Sequence, residues 1–256
     1  MSFPQPSRIA RAVDRIRGRI AATCAFPLEY ARFRKSAASE SDGRRPRIRD
    51  VHACLNDRTA LTTFDRHYVY HPAWALRVLL ETKPAEHVDI SSILSFAAMA
   101  SAIVPFRFFD FRPAALKLPG LVCDRADLMA LPFADRSVSS LSCMHVIEHI
   151  GLGRYGDPID ARGDRRALAE LQRVVAPGGT LLVVVPVGVE RVCFNAHRVY
   201  DPATIVTALD QLRLRAYSVV PDAPYDAGLV NDHDFAVTRR QRYGCGCFRF
   251  ERPAEV

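Results

Sequence analysis

Three aspartates and one histidine-rich run carry most of the chemistry legible in this sequence of 256 residues. Asp89, Asp110 and Asp127 each fall at or just past a short apolar run of strand length. An acid after a second strand suits a ribose diol, because a carboxylate accepts from two hydroxyls. An acid after a third strand can accept from an adenine amino group, and one closing a first strand can orient the next turn or face a cationic ligand. Each alone reads better as a helix or turn cap, but three in register point to a nucleoside-like cofactor. Downstream, "HVIEH" holds His145, Glu148 and His149, with the two histidines one helical turn apart. These and His197 are candidate bases for a hydroxyl acceptor. The spacing is not that of a His-Glu-x-x-His zinc site, and no metal is expected. Arg191, Asn195, His197 and Arg198, in "VGVERVCFNAHRVYDP", offer donors that fit a phosphate, carboxylate or sugar.

These side chains need a scaffold, and the chain alternates helix and strand from about residue 68. "HPAWALRVLLET" predicts a helix with Trp74, Val78 and Leu79 on one face. Strands are predicted at 87–91, 106–111, 121–126, 137–146, 180–187 and 213–220, with a last pair near 233–237 and 246–251. Helices fall at 93–102, after Asp164 as a cap, and at 202–212. "TLLVVVPV" is a continuous apolar run, as expected of a strand buried on both faces of a parallel sheet. "PGG" at 177–179 stops the helix before it. The pattern predicts a doubly wound, mostly parallel α/β sheet whose ligand lies at the carboxyl ends of the strands. "GLGRYGDPIDARGD", which includes Tyr155, suits a lid over that site. Its aspartates 157, 160 and 164 suit turns and caps better than a hard cation.

With these elements in place, the run from Asp127 through "LPF" (131–133), "HVIEH" (145–149) and "PGG" resembles the class I S-adenosylmethionine-dependent methyltransferases, especially their small-molecule, type 11-like branch. "HVIEHIGLGRYGDPIDARGD" and "PVGVERVCFNAHRVYDPATI" look closer still to a bacterial domain family of unassigned function associated with surface-polysaccharide biosynthesis. The resemblance covers roughly residues 50–220. It implies a seven-stranded Rossmann-like sheet and S-adenosylmethionine as cofactor. Asp89 would close the first strand, Asp110 would hold the ribose, Asp127 and Leu128 would flank adenine, and Met144 and His145 would lie by the methionine part. Tyr155, Arg191, Asn195 and Arg198 would face the acceptor.

The sequence departs from that pattern at the first turn. Where glycines are expected near 91, 93 and 95, it has Ser91, Ile93 and Ser95. A non-glycine residue at positive φ costs about 1 kcal/mol or more. Either the Ser91 and Ser92 hydroxyls meet the cofactor's polar end, or the pocket no longer holds it. The expected function is methyl transfer to a hydroxyl of a small molecule or glycan precursor. The alternative is a non-catalytic binding or scaffold protein that retains the fold.

Composition sets the remaining expectations. The formal charge is +7, but only Lys35, Lys83 and Lys117 are lysines, and no basic-aromatic pattern suggests nucleic acid. Seven scattered cysteines and the lack of a leader-like apolar stretch suggest a reducing, cytoplasmic setting. Cys245 and Cys247 could ligate a metal, but no second pair lies nearby, and they read rather as strand residues facing one side. Residues 1–49 form a basic extension ahead of a 50–256 domain. Within it, Ser7 can cap a helix carrying Ile9, Val13, Ile16 and Ile20 among arginines, and 36–49 is a polar linker. Residues 8–20 suit peripheral contact with an anionic membrane.

Overall fold

The computed structural model describes residues 8–38, 45–58, 62–222, 224, 227–232 and 234–254, with side chains described from residue 16 onward. Ser7, the Ile9 and Val13 side chains, and the middle of the expected 36–49 linker lie outside the described residues. The chain forms two compact units, Met1–Phe64 and Asp65–Val256. The first contains α1 (Arg8–Ala38), longer than the sequence pattern suggested and running through Pro27. A 3₁₀ turn, Ile48–Asp50, follows. No described helix is long and apolar enough to cross a membrane.

The second unit opens with α2 (Arg66–Thr82), capped by Asp65, whose side chain accepts from the Tyr68 N–H at 3.2 Å. Then come β1 (His87–Ile90), α3 (Leu94–Ala100), β2 (Phe106–Asp110), β3 (Leu121–Arg125) and β4 (Val138–Met144). After a 3₁₀ turn at Ile147–His149 follow α4 (Gly163–Val174), β5 (Val175–Val187), β6 (Arg191–Cys193), β7 (His197–Val199), α5 (Pro202–Ala208) and β8 (Arg213–Val220). The chain finishes with β9 (Val230–Asn231), α6 (Phe235–Thr238) and β10 (Gly244–Glu251).

The main sheet has the order β3-β2-β1-β4-β5-β10-β8-β9. β1 to β5 are parallel, and β10 enters antiparallel between β5 and β8. The order reverses between β1 and β4, so the loops leaving those strands diverge and open a crevice at their carboxyl ends. Both faces are covered. Along β5, Leu181, Val183 and Val185 join one apolar cluster with Leu168 and Leu171 of α4, while Leu182 and Val184 join a second with Trp74 and Val78 of α2. This two-residue alternation explains the uninterrupted apolar run. Cys245 and Cys247 of β10 both sit in the second cluster.

Three expectations change. The sheet has eight strands, not seven, because β9 adds a two-residue edge. Of the strand expected at 233–237, residue 233 lies outside the described residues and the rest forms helix α6 and its cap Asp234, which accepts from the Ala236 N–H at 2.7 Å. Asp164 is not a cap: it lies in the first turn of α4 and meets Tyr200 Oη at 3.2 Å and Arg198 Nε at 3.5 Å.

Candidate active site

The glycine-free turn after β1 keeps the path a glycine would allow. Ser91 holds φ at +58°, the left-handed region where glycine is the usual residue. Its N–H donates to the Phe109 carbonyl at 2.7 Å, and its hydroxyl donates to the same oxygen at 3.2 Å. Ile93 has an ordinary φ of −64° and packs against the second apolar cluster, away from the crevice. Only residue 91 therefore needs left-handed freedom.

Ser92 points inward. Its N–H donates to Asp89 Oδ1 at 3.0 Å, and its hydroxyl accepts from the Met144 N–H at 3.0 Å, which ties the turn to β4. Asp89 is fully buried, and its other oxygen accepts from the Ser142 hydroxyl. Ser142 Oγ lies 2.8 Å from His87 Nε2, and His87 Nδ1 lies 2.7 Å from Ser140 Oγ. Burial pushes the Asp89 carboxyl up to about 6, against the pull of its Ser142 and Ser92 hydrogen bonds. Asp89, Ser92 and the buried Met144 thus position the turn from behind. None of them lines the crevice, where the sequence had placed all three beside the cofactor.

The crevice is a cleft of ≈ 200 Å³ at the switch point. Ser91 forms one wall, and Asp110, Asp127 and the buried Leu128 form another. Asp110 Oδ1 accepts from the Arg112 N–H at 2.7 Å, and Asp127 Oδ1 accepts from the Met129 N–H at 2.9 Å. Each carboxylate keeps its second oxygen for a ligand. His145 and His149 close the far side, and Tyr155 stands at the mouth with the Arg112 guanidinium 4.7 Å from its ring centre. The volume is below the ~300–1,000 Å³ of pockets that engulf a whole ligand. That volume has room for part of a nucleoside-sized molecule.

His145 occupies a strained position, with φ at +58°. Its Nδ1 meets Glu148 Oε1 at 2.8 Å. Burial disfavours its charged form, but the Cys245 sulfur and the Glu148 carboxylate outweigh burial and raise its pKa. His149 donates from Nδ1 to the Ala196 carbonyl at 2.7 Å, which leaves Nε2 unprotonated. Burial lowers the His149 pKa, partly offset by Glu148. His149 is the neutral, cleft-lining imidazole, and Glu148 lies buried behind both rings.

The other residues expected around an acceptor lie elsewhere. Arg198 is buried, donating to the Ile150 carbonyl at 2.7 Å and pairing with Asp164. Arg191 donates to the carbonyls of Val189 and Arg242 at 2.8 and 2.6 Å. Both line a separate groove beside α5. Asn195 is exposed in the turn between β6 and β7, and His197 packs at a tilt against Tyr243 with ring centres 5.0 Å apart, outside the cleft. The structure also brings in residues that the sequence did not single out. Arg112 and Met129 line the cleft, while His67 and His71 of α2 surround His145 together with Cys245 of β10, which the sequence pattern marks as a strand residue. His67 and His71 share the four-residue spacing already noted for His145 and His149, so that pair could have been found.

A family model described as "Caenorhabditis protein of unknown function, DUF268" matches residues 134–219, a third of the chain. That description names neither bacteria nor polysaccharide. No curated protein sequence matches. Solved structures are similar at low identity. One is the N-methyltransferase NodS from Bradyrhizobium japonicum WM9 in complex with S-adenosyl-L-homocysteine, at 16% identity and TM-score 0.51, over 71% of this chain and 85% of that one. Another is the chain described as a methyltransferase, in complex with the Trm112 methyltransferase activator of Haloferax volcanii, at 18% and 0.50, over 75% and 92%. A third is described as a sarcosine dimethylglycine methyltransferase from Galdieria sulphuraria, at 11% and 0.50, over 72% and 86%. Together with the strand order and the switch-point crevice, these likenesses show that residues 65–256 have the Rossmann-like fold of the class I methyltransferases.

Proposed function

We propose that this protein is an S-adenosylmethionine-dependent methyltransferase that acts on a hydroxyl of a small molecule or glycan precursor. One observation carries the reading: Ser91 at positive φ and the carboxylates of Asp110 and Asp127 share a single cleft at the switch point. These residues fit the cofactor's chemistry. Asp110 has acceptor capacity for ribose hydroxyls, Asp127 and Leu128 offer a polar and an apolar contact for an adenine ring, and the Ser91 turn leaves the backbone open to approach. The scaffold alternative would be favoured by an Ile93 side chain filling the cleft, and Ile93 packs elsewhere.

When bound, the cofactor supplies a methyl group already activated on a sulfonium. The protein's task is then to align the acceptor and take its proton. His149 suits the second role, with Nδ1–H fixed by the Ala196 carbonyl and an unprotonated Nε2, 3.8 Å from the Glu148 carboxylate, as the base. Tyr155, flanked by Arg112 and Arg154, suits the acceptor side of the mouth. The polysaccharide setting rests on the resemblance of the loops after β4 and β5. A cytoplasmic location with peripheral membrane contact rests on α1, where Ile16 and Ile20 are exposed beside Arg17 and Arg19.

Transfer of a labelled methyl group to sugar, nucleotide-sugar and polyol hydroxyls tests the reading. His149→Ala is expected to lower kcat by about 10²–10⁴-fold with cofactor affinity unchanged. Because the neutral ring is the active form and its pKa is lowered, kcat/KM should hold down to a pH below the ordinary imidazole range and fall only beneath it. An unaltered kcat in the variant would remove His149 from the role, and absence of label on every hydroxyl acceptor would overturn the substrate class.

A further inference from the structure

His145 sits between two environments. One side of it lines the cleft, and its Nε2 points away to Cys245 Sγ at 3.5 Å. His67, on the neighbouring α2, stacks over His145 with ring centres 5.2 Å apart. One ligand atom from each of His67, His145 and Cys245 lies within 4.8 Å of the others, the one such group among the described residues. We propose that His67, His145 and Cys245 bind a divalent transition-metal ion of the zinc class, with one coordination position left for an exogenous donor.

Two imidazoles and a thiolate are a donor set that zinc takes, and three protein ligands mark a site that keeps a position open. The separation fits. Nitrogen at ~2.0–2.1 Å and sulfur at ~2.3 Å from a tetrahedral ion stand about 3.6 Å apart, close to the His145–Cys245 distance. The supporting contacts fit as well. Glu148 takes the Nδ1 side of His145, and the Tyr243 backbone hydrogen-bonds the His67 ring. Such partners fix which nitrogen of each ring faces a metal. The positive φ of His145 is what turns its ring into this position. Two buried atoms beside the cluster have no partner: Glu148 Oε2 and His71 Nε2, whose ring centre is 5.1 Å from that of His145. Simple packing of aromatic rings does not account for burying polar atoms in this way. Binding displaces the Cys245 thiol proton and the proton on His145 Nε2, both of which leave to solvent, and uses a lone pair from each ring.

The inference does not depend on methyl transfer, and its test does not use activity. Cys24 and Cys54 are exposed and Cys123 and Cys193 half-buried, so all four are changed to serine in the full-length chain, leaving Cys143, Cys245 and Cys247. This protein, stripped with a chelator, is titrated with Co²⁺. The expected result is one cobalt per chain, with visible bands of a tetrahedral site and a near-ultraviolet sulfur-to-cobalt charge-transfer band. Cys245→Ser should abolish the charge-transfer band, Cys247→Ser should leave it, and Glu148→Gln should weaken binding about 10–100-fold. Zn²⁺ should displace the cobalt and raise the Tm. Absence of stoichiometric tetrahedral cobalt would overturn the proposal, as would a charge-transfer band that survives in Cys245→Ser. If Cys245→Ser fails to fold, the same decision rests on His67→Ala, at a half-buried position of α2, which should lower cobalt affinity at least tenfold; unchanged affinity would overturn the site.

Discussion

Asp89 ends a buried hydrogen-bond chain that starts at Ser140 and passes through His87 and Ser142. At neutral pH the chain can run one way only. Ser140 donates to Nδ1, Nε2–H donates to Ser142, and Ser142 donates to the carboxylate. Because burial raises the Asp89 pKa from 3.8 to about 6, the folded protein holds this proton more tightly than the unfolded chain. That contribution to stability is fully present below pH 3.8 and is lost as pH rises through 6, about 3 kcal/mol in all. Asp89→Asn should therefore fold with that pH dependence removed. It should also reverse the chain, because the amide donates to Ser142 and the ring proton moves to Nδ1. Nitrogen chemical shifts of His87 read the tautomer, and an Nε2–H form retained in the variant would refute the arrangement. That Asp110 and Asp127 meet at one cleft was legible in the sequence, because their place after a strand follows from apolar periodicity. The place of Asp89 was not, since its orientation into the sheet depends on Ser142, 53 residues away. The partners that hold Arg198 and those that surround His145 are likewise set by distant segments.

At the scale of elements, the turn after β1 is the part most open to test. Ser91 pays for its left-handed backbone in sterics, while glycine would relieve that cost but widen the unfolded ensemble. Ser91→Gly should change stability by no more than about 1 kcal/mol, and Ser91→Val, branched at Cβ, should lose about 1–2 kcal/mol. Urea unfolding measures both, and an equal loss in the two variants would mean that the turn takes another path. The strands and helices from β1 to β5 were readable because apolar periodicity marks them directly, although β5 begins at Val175, ahead of Pro177-Gly178, rather than after it. The last part was read less well. Residues 233–237 carry a strand-like composition, yet Asp234 caps α6 there, and a side-chain cap outweighs weak β-propensity.

The whole molecule carries several titratable groups held in their neutral forms. Burial lowers His67 to about 4 and His71 and His87 to about 3. A histidine with a depressed folded pKa contributes stability fully above its unfolded value of 6.5, and this is lost as pH falls toward the folded value. Between pH 4 and 6 the unfolded chain gains these three imidazole protons, while the folded chain holds one extra proton on Asp89. Burial also lowers His149 and His197, which act in the same direction, so a balance of at least two protons favours unfolding and stability should fall by at least about 3 kcal/mol per pH unit on acidification through that window. Urea midpoints at pH 4.5, 5.5 and 6.5, chosen to span it, check the slope, and a flat profile would show that these rings are solvated. The fold assembles the cleft from the loops after β1 to β4, and cofactor capture there is the most direct test of its use. In calorimetry at pH 7, S-adenosyl-L-homocysteine should bind one per chain, and Asp110→Asn, still folded, should weaken it at least tenfold. No binding at millimolar ligand to folded wild-type protein, or equal affinity in Asp110→Asn, would contradict the assignment of this cleft.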